Sequence, residues 1–131
     1  MAGLVSLLYV SRSQLRSGDD QVGRIVADAR ACNARMDVTG ALIFTGRHFA
    51  QILEGEAATI DRLIVRIAKD DRHGGLRIVE VVPVAERAFA TWSLAYSGGM
   101  DYVDRKVRAL LCGGTATDVH ALRSLMEELV R

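Results

Sequence analysis

The run His48-Phe49-Ala50-Gln51-Ile52-Leu53-Glu54-Gly55 has the length and composition of a β-strand, and one of its residues is out of place. Alternation puts Phe49, Gln51 and Leu53 on one face. That face is apolar except for the amide of Gln51. A buried amide costs free energy unless its acceptor and its donors find partners. Something polar therefore has to lie above this strand.

The flanking segments show what sort of layer surrounds it. Residues 38–44 read as a strand, and Thr45-Gly46-Arg47 as a hairpin loop into the first run, which Glu54-Gly55 is expected to end. Residues 57–69 carry Ile60, Leu63, Ile64, Ile67 and Ala68 at helical spacing, with Arg62, Arg66 and Lys69 off that stripe. Toward the N-terminus, residues 4–11 read as a strand that is apolar on both faces, hence central and covered on both sides. Tyr9 stands on one of those rows. Taken alone, it is a core tyrosine whose hydroxyl finds a backbone carbonyl. Residues 12–18 read as a polar loop. Asp19 or Asp20 is the expected cap of a helix reaching Arg35, whose stripe runs through Val22, Ile25, Val26 and Ala29 to Cys32 and Asn33. Asn33 either ends that helix or points its amide inward. Met36-Asp37 makes the turn into the next strand.

Further along, Arg66, Asp70, Arg72 and His73 surround the end of the second helix. They read either as charges suited to a helix terminus or as a clamp for a phosphate. Residues 76–84 and 92–96 read as two more strands, the second carrying Trp92, Leu94 and Tyr96 on one face. The order β-α-β-β-α-β plus a fifth strand is an α+β, ferredoxin-like plan with both helices on one sheet face. Ser97-Gly98-Gly99 reads as a hinge. Two amphipathic helices follow, over residues 101–111 and 117–131, suited to cover the bare face or to form a dimer contact.

Composition narrows the function. The chain has 131 residues, half of them apolar, the size of one ordinary domain. Its 17 basic and 16 acidic residues leave a net charge of +1, which gives no reason to expect nucleic acid or a membrane surface as partner. No apolar run is long enough to span a bilayer, and no secretory signal is evident. Cys32 and Cys112 are isolated, and the three histidines have no metal-ligand spacing. A cytoplasmic protein without a metal is expected.

Several pieces, in order and at these spacings, resemble the BLUF domains, blue-light sensors that use FAD. They are LLYVS (residues 7–11), the helix ending in Asn33, DVTGALIF (37–44), FAQILEGE (49–56), RIAKDDRH (66–73) and RAFATWS (87–93). The resemblance covers about residues 4–96 and implies a flavin-binding domain over 1–97, followed by a helical extension over 98–131 that serves as cap, dimer contact or output surface. It implies a flavin, FAD with FMN as the alternative, held between the two helices of the ferredoxin-like plan. Tyr9 and Gln51 become the photoactive pair, and Asn33 the residue that bonds the ring edge. Ile25 packs on the ring, and Arg66, Asp70, Arg72 and His73 hold the ribityl and phosphate chain. The family usually reads Trp-Ser-Met where this chain has Trp92-Ser93-Leu94, which leaves open whether Trp92 or Leu94 takes the inner position. Leu94 keeps the volume of the methionine and loses its thioether. No fused enzyme or DNA-binding module is expected. The expected output is therefore a downstream protein partner or a change in self-association, with a homodimer the expected assembly.

Two other readings compete. An acylphosphatase-type hydrolase on the same plan would need a phosphate-cradling loop after the first strand, and Ser11-Arg12-Ser13 has no glycine-rich run. A flavin-free interaction module would keep the fold and lose light sensing; Leu94 permits it, and Tyr9, Gln51 and Asn33 together argue against it.

Overall fold

The computed structural model describes residues 3–14, 21–70, 72–89, 93–96 and 101–129. Its elements are β1 (Leu4–Ser13), α1 (Gln21–Arg35), β2 (Thr39–Phe44), β3 (His48–Glu56), α2 (Ala57–Ala68), β4 (His73–Val84), β5 (Ser93–Tyr96), α3 (Asp101–Leu111) and α4 (Ala116–Leu129). The strands form one sheet in the order β4-β1-β3-β2-β5. β4, β1, β3 and β2 pair antiparallel, and β5 adds to β2 in parallel. This is the ferredoxin-like plan with a fifth strand.

The sheet is covered on both faces because its central strands are apolar on both. Leu7, Tyr9 and Leu53 pack on one face against Ile60, Leu63 and Ile64 of α2 and Cys32 of α1. On the opposite face Leu8, Val10, Ala50 and Ile52 pack against Val103, Val107 and Leu110 of α3 and Leu122 and Met126 of α4. Full burial of such a side chain contributes about 1.5–3 kcal/mol, so α3 and α4 are held mainly by this layer.

Several boundaries differ from the sequence reading. Glu54 and Gly55 do not break β3; the strand runs on to Glu56, because Glu54 stays paired with Ser6 and Thr39. The Glu54 side chain is buried and accepts from the Thr39 hydroxyl and from the backbone N–H groups of Ala88 and Phe89, at 3.1, 2.7 and 3.0 Å. β1 extends to Ser13 rather than ending at Ser11, and β4 opens at His73, so Gly74 and Gly75 lie inside a strand instead of closing a helix. α1 ends at Arg35 and turns through Met36 and Asp37 as expected; Asp37 has a left-handed φ of 56°, a conformation an aspartate tolerates better than most residues. The expected cap at Asp19 or Asp20, the hinge at Ser97-Gly98-Gly99, and Trp92 lie outside the described residues.

Candidate functional site: a cleft between the two helices

The out-of-place amide has its partner. Tyr9 and Gln51 are direct cross-strand partners in the β1–β3 ladder, and the phenol donates to Gln51 Oε1 at 2.5 Å. Tyr9 is 1 % exposed and Gln51 3 %. Burial pushes the Tyr9 phenol far above its ordinary pKa, and the negative charge of Asp70 adds to this. The phenol therefore stays protonated and acts as the donor of the pair.

Above these residues α1 and α2 leave a cleft of about 360 Å³, within the range of small-molecule sites. Tyr9, Gln51 and Leu42 form its floor, Ile25 and Asn33 line it from α1, Arg66 from α2, Asp70 and Arg72 from the connection that follows, and His73 from the start of β4. The structure thus brings all eight sequence-predicted binding residues together in one cavity. Asn33 does not end α1, which runs on to Arg35; the inward-pointing reading is the one the structure bears out. Its carbonyl accepts the backbone N–H groups of Met36 and Val38 at 3.2 and 2.9 Å, and its buried side chain lines the cleft.

The charged rim is more structured than the sequence showed. Arg72 Nη2 bonds Asp70 Oδ2 at 2.6 Å, Nε reaches both Asp70 oxygens, and Nη1 reaches Asp28 of α1 at 3.4 Å. The hydrogen bond to Arg72 is the main reason the Asp70 carboxyl lies below the usual carboxylate range. Arg66 is exposed, with Nη1 3.5 Å from Cys32 Sγ. His73 Nδ1 lies 2.8 Å from the buried Ser11 hydroxyl, and its ring packs on Phe49 and edge-on toward Tyr9. Burial holds the His73 imidazole below its ordinary pKa, so it is neutral near pH 7.

Sequence reasoning missed Asp28, Arg35, Leu42, Leu63 and Ile67 as lining residues. Leu63 and Ile67 were legible only as a core stripe, and part of that stripe faces the cleft. Asp28 follows Ile25 by three positions on α1, a signal that was available. Leu94 pairs with Leu42, which pairs with Gln51, so its backbone lies in the row that crosses the cleft floor. The continuation of β1 through Ser13 removes the loop that the hydrolase reading needed. Among the described residues no group of three or more His, Cys, Asp or Glu could hold a metal ion, and no helix is long and apolar enough to cross a membrane.

An amide between a phenol and an open, partly apolar cleft with a cationic rim suits a flat, hydrogen-bonding, anionic-tailed ligand. The family described as sensors of blue-light using FAD, BLUF, matches residues 4–95, and this chain belongs to it. Relatives include the photoactivated adenylate cyclase subunit beta of Euglena longa, 32 % identical over 92 residues, which are 70 % of this chain and 11 % of that protein. The blue light- and temperature-regulated antirepressor BluF of Escherichia coli is 36 % identical over 81 residues, 60 % of this chain and 19 % of that protein. The chain thus matches only a minor part of the length of these curated relatives. The dark-state structure of BlrB, a BLUF protein, superposes with a TM-score of 0.80 at 29 % identity and covers 98 % of both chains.

Proposed function

We propose that Tyr9 and Gln51 are the light-driven switch of this chain, acting on FAD held non-covalently in the cleft. When bound, the flavin supplies absorption of blue light and an excited state that takes an electron. Ile25 and Leu63 flank the ring, Asn33 bonds its polar edge, and the rim receives the phosphates. Arg66 is the foremost phosphate contact, because Arg72 is already engaged by Asp70 and Asp28. Asp70, Arg72 and His73 then shape the wall along the ribityl chain.

The protein's part is a proton and an amide. The Tyr9 hydroxyl donates to Gln51 Oε1, so a phenol that gives up an electron has an acceptor for its proton 2.5 Å away. The phenol can both donate and accept, so it satisfies Gln51 in either amide orientation. With Oε1 toward Tyr9, Nε2 is the donor presented to the ring; after reversal or tautomerisation the ring edge meets a different hydrogen-bonding group. Two arrangements of comparable energy make a switch that a change of about 1 kcal/mol biases. The output is a change relayed to a protein partner or to the contact of a cytoplasmic homodimer.

The buried Tyr9–Gln51 bond at the cleft floor carries this reading. The test is the absorption spectrum of the purified chain before and after blue light. A yellow protein with a small, reversible red shift is expected, and Gln51→Leu should stay yellow and lose the shift. A normal shift in Gln51→Leu overturns the switch assignment, and a colourless wild type favours the flavin-free module.

A further inference from the structure

On the face of the sheet away from the cleft, three polar side chains meet in an otherwise apolar layer. Thr45 closes the β2–β3 hairpin, His48 opens β3, and Asp104 lies in the first turn of α3; all three are buried. Asp104 Oδ1 accepts from the Thr45 hydroxyl at 2.6 Å and lies 2.6 Å from His48 Nδ1. The Thr45 hydroxyl also accepts the His48 N–H at 3.1 Å, so the hairpin end and the helix form one closed network. Burial works to raise the Asp104 pKa, but the bonds from Thr45 and His48 and the charges of His48 and Arg47 outweigh it, leaving the carboxyl below its usual range.

The apolar stripe of α3 is held differently. Val103, Val107 and Leu110 make apolar contacts with the sheet, which are non-directional and tolerate a small slide. Hydrogen bonds of 2.6 Å to a charged acceptor do not, since they weaken steeply with misalignment. The cluster is therefore a place where α3 is registered to β3. His48 is three residues from Gln51 on the same strand, about 10 Å along it, and the two point to opposite faces.

We propose that Thr45, His48 and Asp104 form a latch through which a displacement of β3 at Gln51 is passed to α3, making His48 and Asp104 positioning residues of the output. The proposal rests on the sensing reading above. The test is hydrogen exchange of the flavin-loaded full chain, dark against illuminated. In the wild type, light should change exchange across residues 101–111. Asp104→Ala should keep the flavin spectrum and its red shift while the light-dependent difference in α3 falls at least fivefold. His48→Asn keeps a donor near the Nδ1 position and should retain most of it. If Asp104→Ala does not fold, Thr45→Val, which removes one of the two bonds to the carboxylate, should at least halve the difference. A full light-dependent difference in Asp104→Ala or Thr45→Val overturns the latch. So does a wild type that shifts its spectrum with no change in α3. A wild type with no red shift is a different result, which removes the sensing reading and the latch with it.

Discussion

Tyr9 and Gln51 face each other as cross-strand partners on the two central strands of the sheet, joined by a 2.5 Å hydrogen bond at the floor of the cleft. Neither is placed by a loop. Both are held by ladders on each side, β4 beyond β1 and β2 beyond β3, so the sheet itself sets the pair opposite one another. Within the pair, the amide is the group with two satisfiable orientations.

Tyr9→Phe keeps the ring and removes the donor. The Gln51 acceptor then sits buried without its phenol, which should lower stability by about 1–3 kcal/mol, read as a fall in the urea midpoint at unchanged slope. The variant should still bind flavin, since shape and cavity are kept, and should lose the red shift. A variant as stable as wild type would mean that the phenol makes no net contribution to holding the amide.

Gly40 lies in β2, at φ +157, and a β-carbon there would come within 1.8 Å of the Ile52 carbonyl oxygen. The three nearest atoms are all backbone of Ile52 and Leu53, so nothing flexible can yield. Gly40→Ala should therefore cost more than about 3 kcal/mol or prevent folding. Because β2 carries Leu42 beneath the cleft, any folded fraction should bind flavin more weakly. The readings are thermal midpoint and flavin retention through gel filtration. Wild-type values for both would show that β2 can move away from β3 at little cost.

Acid should destabilise the protein in two stages. The His73 imidazole is depressed in the folded state, first by burial. The unfolded chain then binds more protons as pH drops below about 6.5, so this contribution is complete above that pH and is lost as pH falls through the folded-state value. Asp70 is also depressed, first by its Arg72 hydrogen bond. Its contribution is present above the ordinary carboxylate range, about pH 4, and disappears as pH falls through the lower folded value. Urea midpoints from pH 7 to 3 should decline less steeply for His73→Gln in the upper part of the range and for Asp70→Asn in the lower part. Parallel curves for all three proteins would contradict both assignments.

Much of this molecule was legible in one dimension. The two-faced apolar strand 1, the hairpin, the stripe of α2 and the two C-terminal stripes follow from periodicity, which directly reports burial of a face. Gln51 announced a site because an amide in a buried row needs a partner. Residue order and spacing marked the family, and with it the residues of the cleft.

What periodicity could not report is anything that depends on which strand lies beside which. The pairing of Tyr9 with Gln51, the reach of Arg72 to Asp28, the hold of Glu54 on the backbone at residues 88 and 89, and the meeting of His48 with Asp104 all join residues far apart along the chain. Local sequence sets the conformation of each segment through sterics and the need to bury apolar surface. The partner of a particular polar atom is set only when the sheet order 4-1-3-2-5 brings the segments within hydrogen-bonding distance, because such bonds act over about 3 Å and carry no signature along the chain.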